Sequence, residues 1–334
     1  FHTILRTITR FKYKLKISKK VMIYNIAVIL TCFNRKKKTL ACLESLFKAA
    51  KVYNNAQSED NGLSLSIYLT DDNCTDGTQD AVRDLCKDKH IGKLNIIEGN
   101  GHCYWAGGMR LAWRKALEEK EKWHFFLLLN DDTVVFNNLF EELYSAHHYA
   151  IKHFGKGGLY SGITCDSKNP EIITYGGKNI GESNIKNDIK TVGESDKPQA
   201  VKLTNANILM IEKNVVETIG IFYEGYIHSA ADYDYSLNAH KHSFPVLLTA
   251  QTCGTCNDDH LSEKDEIIML SNKTLKERIA YVNAPTHCDA DYFTYIKRNF
   301  PKKYIGCWIL RKLRILSPTC YYWINKKRGV KGYV

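Results

Sequence analysis

The sequence WHFFLLLNDDTVVF, at residues 123–136, joins an unbroken apolar run to a polar turn. A short, fully apolar run is typical of a central strand that is covered on both faces of its sheet. The run ends at Asn130, Asp131 and Asp132, and ligands of open α/β sheets bind at the carboxyl ends of such strands. Because two adjacent acids are costly to bury, the stretch predicts a divalent metal with oxygen ligands that grips a phosphate. The alternative is a solvated turn that only ends the strand.

Similar strand–loop–helix units precede this stretch. The run IAVIL at residues 26–30 leads into a polar turn and a helical pattern, and LSLSIYL at residues 63–69 ends on Asp71 and Asp72. A short third strand precedes the glycine-rich loop GNGHCYWAGG at residues 99–108. This repetition predicts an α/β fold with a mostly parallel sheet flanked by helices, in which the strand-end loops meet at one edge.

Charge is distributed unevenly along the chain. The net charge is +11, yet residues 1–20 hold seven Lys and Arg and residues 292–334 hold eleven, with no acid in either segment. The remainder carries 29 basic and 36 acidic residues. A nucleic-acid-binding protein usually carries its positive charge on the folded face, so this pattern argues against nucleic acid. Two basic arms on an acidic body favour an anionic membrane surface as a partner.

The expected compartment follows from what the sequence lacks. No apolar run reaches the roughly 18 residues of a membrane span, and the N-terminus has no secretory apolar core. The eleven cysteines show no repeated spacing, which is typical of reduced cytosolic thiols. We therefore expect a cytoplasmic protein, peripheral on the inner face of the plasma membrane where the basic arms bind it. Cys253 and Cys256, with His260, His287 and Cys288 downstream, leave a structural zinc site as an alternative.

Several motifs together resemble a known enzyme family. VILTCFNR at residues 28–35, DDNCTDGT at 71–78 and LLLNDDT at 127–133 are similar to the nucleotide-sugar half of family 2 glycosyltransferases, which have the GT-A fold. The segment at residues 204–226, followed by ADYDYSLNA at 231–239, resembles the acceptor-side segment of that family. The likeness is nearest to bacterial rhamnosyl-, galactosyl- and galactofuranosyltransferases that build surface polysaccharide.

The resemblance implies a domain plan. Residues 22–260 would form the GT-A domain, with a nucleotide-binding sheet, and residues 261–334 a basic helical C-terminal region. Residues 1–21 are expected to be a basic extension that need not be native, because Met22 stands just before the first clear strand.

The resemblance also implies roles on the donor side. Asp72 would accept the uracil or thymine N3–H, and Asp71 would either help it or complete the turn. Asp132 would be the last carboxylate of the D-x-D motif and bind Mg²⁺ or Mn²⁺ across the diphosphate, with Asp131 in support. Asn130 stands at the first position of that motif, which weakens the case for two carboxylate ligands. The nucleotide pocket would be lined by Thr31, Asn34, Arg35, Trp105, Gly107 and Gly108.

On the acceptor side, the resemblance implies that Asp232 is the general base that takes the acceptor hydroxyl proton. Asp234 would orient the segment. The family usually reads Glu-Asp-x-Asp here, and Ala231 replaces the Glu. A helix N-cap is the structural alternative for Asp232, and both roles can coexist.

The implied function is a metal-dependent inverting glycosyltransferase that moves a sugar from a UDP- or dTDP-sugar to a saccharide or lipid-linked acceptor in polysaccharide synthesis. A non-catalytic nucleotide-sugar or carbohydrate-binding module is the alternative, because Asn130 and Ala231 replace acids. A phosphatase of the haloacid dehalogenase type would need a nucleophilic Asp where Asn130 stands.

The basic C-terminal segment leaves two interpretations open. Residues 297–331 mix basic side chains with apolar ones such as Trp308, Ile309 and Trp323. One interpretation is an amphipathic helix that lies on the inner leaflet. The other is a helix packed on the catalytic domain with Lys and Arg facing outward.

Overall fold

The computed structural model describes these residues: 22–57, 61–87, 93–119, 123–180, 189–259, 261–287 and 289–328. The basic extension expected at residues 1–21 lies outside the described residues, as do His260 and Cys288 of the zinc hypothesis.

The described strands are β1 (Met22–Cys32), β2 (Asn61–Asp71), β3 (Lys93–Glu98), β4 (Phe125–Leu129), β5 (Val134–Val135), β6 (Leu159–Cys165), β7 (Ile173–Tyr175), β8 (Gly177–Ile180), β9 (Ile189–Val192), β10 (Gln199–Ala200), β11 (Leu203–Thr204), β12 (Ile208–Glu212) and β13 (Val246–Thr255). The described helices are α1 (Lys36–Ala56), α2 (Thr78–Lys87), α3 (Tyr104–Glu118), α4 (Leu139–Phe154), α5 (Lys213–Ile219), α6 (Ala231–Lys241), α7 (Glu263–Ser271), α8 (Leu275–Asn283), α9 (Asp289–Asn299), α10 (Tyr304–Leu316) and α11 (Pro318–Arg328).

The main sheet has the strand order β10-β13-β6-β12-β4-β1-β2-β3, with β5 paired to β13 and β7 to β6. Strands β4, β1, β2 and β3 run parallel to one another, joined by helical crossovers. This half of the sheet confirms the predicted α/β fold with a mostly parallel sheet flanked by helices. Strand β12 runs antiparallel between β4 and β6, and a separate small sheet has the order β11-β8-β9.

Strand β4 is apolar throughout because both of its faces are covered. Alternate strand residues point to opposite faces, so Phe125, Leu127 and Leu129 join the core that α1 and α4 share, whereas Phe126 and Leu128 join the core on the α3 and α6 side. All five side chains are buried. Each contributes about 1.5–3 kcal/mol of hydrophobic stabilisation relative to an exposed position. The buried strand therefore fixes the position of the polar residues that follow it, Asn130, Asp131 and Asp132.

The C-terminal region is helical from α7 to α11, which confirms the predicted helical extension. Helix α9 packs on α6, and its Tyr295 and Ile296 are buried in the same core as α3 and α6. Within the described part of the chain, none of the helices combines the length and the apolar character that crossing a membrane requires.

Candidate active site

The loops that follow β1, β2, β3 and β4 meet at one edge of the sheet, as the parallel order predicts. Arg35, after β1, forms ion pairs with Asp131 and Asp132, after β4. The side-chain oxygen of Asn34 accepts a hydrogen bond from the Thr75 N–H, after β2, at 2.7 Å. These contacts join three loops that are far apart in sequence into one surface.

Several residues near this edge have left-handed backbone. Asn34, Asn73, Tyr104 and Ala230 have φ angles of 51°, 62°, 51° and 60°, in the region that non-glycine residues rarely adopt, and Ser243, after α6, has a φ of 61°. Asn34 and Asn73 lie in strand-end loops, Tyr104 begins α3, and Ala230 directly precedes α6. Each such residue costs of order 1–3 kcal/mol and persists only where its surroundings impose it, most often at functional sites.

Asp72 holds the glycine-rich loop in place. Its Oδ1 accepts the Gly101 N–H at 2.8 Å, and its Oδ2 accepts the N–H groups of Cys103 and Tyr104 at 2.9 and 3.3 Å. A Cβ on Gly99 would lie 2.5 Å from Oδ1, so the loop can approach this closely only with glycine there. A carboxylate offers about four acceptor sites, which leaves about one for a ligand.

Trp105 and Gly108, at the start of α3, bring that helix against the strand ends. The Trp105 indole N–H donates to the side-chain oxygen of Asn130 at 2.7 Å. A Cβ on Gly108 would lie 2.1 Å from the Thr31 Oγ1, so glycine is required for α3 to approach β1 this closely. Gly107 shows no such requirement, since its nearest contact would be 3.7 Å away.

Asp131 and Asp132 lie in different environments. Asp131 is buried, where its carboxylate binds Arg35 at 3.2 Å and accepts the Thr39 hydroxyl at 3.1 Å. Burial raises the pKa of Asp131 to about 6, although the Arg35 charge opposes that rise. The Asp132 side chain is 18% exposed, paired with Arg35 and 3.9 Å from the Lys38 ammonium. Asp131 therefore supports the turn, whereas Asp132 presents a carboxylate at the sheet edge.

Asp132 supplies carboxylate oxygens, the ligands that Mg²⁺ and Mn²⁺ prefer in proteins. In the structure this carboxylate is neutralised by two cationic side chains, Arg35 and Lys38. A divalent ion at Asp132 would therefore have to displace them.

A second group of ligand atoms lies deeper in the same edge. Among the described residues, Cys32, Asp71 and Cys74 place one ligand atom each within 4.8 Å of one another, with the two sulfurs 3.8 Å apart. The Asp71 Oδ1 accepts the Cys74 N–H at 2.7 Å. Burial raises the pKa of both thiols, that of Cys74 to about 11, so they are protonated at neutral pH. In this protonated form, the contacts of Cys74 with Cys32 and Asp71 connect the turn after β2 to the end of β1.

Asp232 is the second residue of α6 and is buried. Its Oδ2 accepts the Ala206 N–H at 3.1 Å, and its Oδ1 accepts the N–H of Tyr233 at 2.9 Å. Burial raises the pKa of Asp232 to about 6, while these two N–H groups oppose the rise. The Lys178 charge, from β8, also lowers this pKa, and its ammonium lies 5.4 Å from the centre of the Tyr233 ring. Asp232 is therefore ionised at neutral pH but close to the point of accepting a proton.

A short series of contacts connects Asp132 to Asp232. The Cys256 sulfur lies 3.6 Å from the Asp132 Oδ1 and accepts the Asn207 side-chain N–H at 3.2 Å. Asn207 is next in sequence to Ala206, whose N–H binds Asp232. These contacts connect the end of β4 to the start of α6.

Residues 27–152 match the sequence model of Glycosyl transferase family 2. This part of the chain is therefore similar to family 2 glycosyltransferases. The match confirms the predicted family resemblance and supports glycosyl transfer as the activity. A search of curated proteins gave no match.

The chain is also similar to solved structures. S. aureus TarS 1–349 gives a TM-score of 0.48 at 13% identity, covering 83% of this chain and 72% of that chain. The mannosyltransferase PcManGT from Pyrobaculum calidifontis, in complex with GDP-Man and Mn²⁺, gives a TM-score of 0.47 at 12% identity, covering 90% of this chain and 78% of that one.

The two departures of this sequence from the family pattern have local explanations. The Asn130 side chain binds the Trp105 indole at 2.7 Å, so a neutral amide serves as a hydrogen-bond acceptor at the first motif position. Ala231 is buried in the core between α3 and α6, where a Glu would have to place its carboxylate among apolar side chains.

The sequence analysis missed the residues that hold the Asp232 segment. Asp291 of α9 is fully buried and accepts the N–H groups of residues 227, 228 and 229 at 2.9, 2.7 and 2.8 Å. Arg298 of α9 binds both carboxylate oxygens of Asp234 at 3.0 and 3.1 Å. No local signal marks these residues, since their partners lie more than sixty positions away in sequence. Lys178 was missed because its charge acts on Asp232, which is also distant in the sequence.

Proposed function

We propose that this chain is a metal-dependent inverting glycosyltransferase that moves a sugar from a UDP- or dTDP-sugar to a saccharide or lipid-linked acceptor in polysaccharide synthesis. The observation that carries the proposal is the contrast between two carboxylates of one site. Asp132 is partly exposed and paired with Arg35 and Lys38, whereas Asp232 is buried and has a pKa raised to about 6. The first would offer its oxygens to an ion that replaces these two side chains, and the second would accept a proton.

On the donor side, Asp132 would hold Mg²⁺ or Mn²⁺, and the ion would neutralise the charge on the leaving diphosphate. Arg35 and Lys38 lie close enough to bind the phosphate oxygens themselves once the ion takes their place at Asp132. Asp131 keeps the turn in position through Arg35 and Thr39. The donor would thus lie along the carboxyl edge of β1 to β4.

The nucleotide base would lie beside the glycine-rich loop. The remaining acceptor site of Asp72 suits the N3–H of uracil or thymine, and adenine has no N–H at that ring position. Asn34, Thr31, Trp105, Gly107 and Gly108 would complete the walls of the pocket, and Asp71 would hold the turn that carries Asp72.

On the acceptor side, Asp232 would take the proton of the attacking hydroxyl. The hydroxyl oxygen forms a bond to the anomeric carbon as the bond from that carbon to the diphosphate oxygen breaks, and the diphosphate leaves with the bonding electron pair. A single displacement of this kind inverts the anomeric centre. The proton ends on an Asp232 oxygen, and its pKa of about 6 allows later release to solvent at neutral pH.

A donor panel tests the proposal. Thermal shift of the full chain with UDP-, dTDP-, GDP- and ADP-linked sugars, each with and without Mn²⁺, measures which ligand stabilises the native state. We expect the pyrimidine donors with Mn²⁺ to give the largest shift, and a saccharide acceptor then to release UDP or dTDP. A shift without release in the presence of acceptors would favour the binding module. Equal shifts for all nucleotides would contradict the pyrimidine pocket.

A further inference from the structure

Helix α10 buries two arginines and leaves several large apolar side chains exposed. Arg311 and Arg314 are only 9% and 4% exposed, and Ile315 is buried beside them. On the other side of the helix, Ile305 is 73% exposed and Ile309 55%. A surface helix in water normally turns its large apolar side chains to the core and its charged ones to solvent.

The inward arginines are fixed by acids of neighbouring helices. Arg311 binds Asp289 of α9 at 3.2 Å and lies over the Tyr292 ring at 4.0 Å. Arg314 pairs with Glu266 of α7 and lies 3.7 Å from Asp289. Rotating α10 to bury its apolar side would carry both arginines out to solvent and leave the buried carboxylate of Asp289 without its partners, and breaking a buried pair in this way typically costs about 3–5 kcal/mol. The outward apolar side is therefore a fixed feature of the fold.

The exposed side chains of α10 form a single face, which we call the outer face of α10: Ile305, Trp308, Ile309, Lys312 and Leu316. Their spacing of three or four residues places them in one row along the helix. On α11, Trp323 is exposed as well. Contiguous apolar surface of this kind marks an interaction site more often than a solvated surface.

The exposed tryptophan of α10 and that of α11 each have a lysine beside the ring. The Lys312 ammonium lies 5.7 Å from the centre of the Trp308 ring, and Lys327 lies 3.7 Å from that of Trp323. In each pair the lysine follows the tryptophan by four residues. Tryptophan with a neighbouring lysine is the combination that occurs where a protein meets the headgroup layer of a bilayer.

Charge identifies the kind of surface that this face fits. Residues 292–334 hold eleven Lys and Arg and no acid. Arg298, Arg311 and Arg314 are paired with acids inside the fold, so the positive charge that remains comes mostly from exposed lysines. Two copies packed face to face through α10 would bring these lysines against one another, which disfavours a symmetric dimer.

We propose that the outer face of α10, together with Trp323, binds the surface of an anionic phospholipid bilayer, with the helix lying in the headgroup layer. The apolar side chains would enter the boundary of the acyl region, and the lysines would contact the lipid phosphates. No span of the bilayer is involved. This inference rests on the C-terminal helices alone and does not depend on the proposed function.

The bilayer contact would be mechanically joined to the Asp232 segment. Helix α9 lies between them: its Asp289 binds Arg311 of α10, and its Asp291 holds the backbone of residues 227–229. Under the proposed function, a lipid-linked acceptor would reach the general base from this side.

Vesicle sedimentation of the full chain tests the proposal. We expect the protein to sediment with vesicles of equimolar phosphatidylcholine and phosphatidylglycerol and to stay in solution with phosphatidylcholine alone. Recovery with anionic vesicles should fall at 1 M salt, where the Debye length drops to about 3 Å. Truncation before α10 is a poor test, because Asp289 and Asp291 would lose the packing around them.

Substitutions on exposed positions give a cleaner test. Ile305→Ser, Trp308→Ser and Ile309→Ser combined should weaken binding to anionic vesicles by at least about tenfold, since each removes apolar surface from the acyl boundary. The matched control replaces three other exposed apolar residues with Ser: Leu117, Ile151 and Phe154. The control should bind vesicles like the wild type, and unchanged thermal unfolding of both variants would show that each is folded.

A second pair of variants isolates the electrostatic contribution. Lys302→Gln with Lys312→Gln should weaken binding on the order of tenfold, because each Lys near an anionic leaflet adds about 1 kcal/mol. Lys48→Gln with Lys51→Gln, both exposed on α1, makes the same change in net charge away from this face and should have little effect.

Tryptophan emission reports the contact directly. Of the five tryptophans, Trp308 and Trp323 are the exposed ones, so anionic vesicles should shift the emission to the blue, and Trp308→Phe with Trp323→Phe should remove that shift. The proposal is overturned by equal recovery with neutral and anionic vesicles, or by wild-type binding of the triple variant. A dimer in ultracentrifugation that only the triple variant dissociates would also overturn it, since a second copy would then cover the face.

Discussion

The edge formed by the loops after β1 to β4 and the segment around Asp232 differ in where their supporting residues come from. At the edge, the loops that follow neighbouring strands hold one another, as Arg35 holds Asp131 and Asp132. The Asp232 segment is held instead by Lys178 of the small sheet and by Asp291 of α9. The first region therefore follows from strand order, whereas the second depends on long-range contacts. Changes at the two regions should separate donor binding from sugar transfer.

The largest expected effect comes from removing the proposed base. Asp232→Asn should lower turnover by a factor on the order of 10² or more, because the acceptor proton loses its carboxylate, while donor affinity changes little. Steady-state kinetics and donor titration measure the two quantities. Asp84→Asn, at an exposed acid of α2, is the control and should leave both unchanged. Loss of donor affinity in Asp232→Asn would place this residue in the donor site.

The second-largest expected effect is a loss of nucleotide affinity, which tests the donor side. Asp72→Ala should weaken UDP or dTDP binding by about 1.5–3 kcal/mol, the scale of a hydrogen bond to a charged group. Titration with ADP should show a much smaller loss, because adenine lacks the N3–H of the keto pyrimidines. The titration with ADP is needed because Asp72 also accepts three N–H groups of the glycine-rich loop, so Asp72→Ala could change the loop as well as the contact with the base. Equal losses for both nucleotides would mean that Asp72 only shapes that loop.

The edge could be predicted from the sequence because each of its strands is a local apolar run that ends on polar residues. The apolar run of β4 ends at Asn130, and that of β2 ends at Asp71, so parallel order alone brings these residues together. The antiparallel insertion of β12 between β4 and β6 was not predicted, because a strand's pairing partner is not encoded in its own periodicity.

The orientation of α10 could not be predicted either. Its sequence shows an amphipathic helix, but Arg311 and Arg314 turn inward only because Asp289 and Glu266 are placed to receive them. A helix packed with all its Lys and Arg outward, one of the two interpretations of this segment, does not describe these arginines. Buried ion pairs between distant elements are set by tertiary structure, which the local pattern does not contain.

A substitution at Asp291, which lies outside the proposed reacting groups, should have a moderate effect on stability and on transfer. Asp291→Asn removes a charged acceptor from three N–H groups of residues 227–229, so the free energy of unfolding should fall by about 1–3 kcal/mol. Transfer should slow because that loop leads into Asp232, whereas UDP affinity should stay unchanged. Asp196→Asn, at an exposed acid, is the control. Equal losses in UDP affinity and transfer would remove the distinction between the two regions.

The smallest expected effect concerns pH. The pKa of Asp232 is raised to about 6 by burial, so kcat/KM should fall as the pH drops below about 6 and the base becomes protonated. The positive charge of Lys178 lowers this pKa, so Lys178→Met should raise it and move the acid limb of the profile to higher pH. A limb that stays in place would show that another group, such as Asp131, controls it.

The most direct test of the account is sugar transfer by the full chain before and after removal of divalent metal, compared with Asp132→Asn. We expect EDTA to abolish transfer and Mn²⁺ or Mg²⁺ to restore it, because the partly exposed Asp132 carboxylate would hold the ion that neutralises the leaving diphosphate. Asp132→Asn should be inactive with an unchanged thermal unfolding transition. Full activity in EDTA after dialysis, or in Asp132→Asn, would contradict the account.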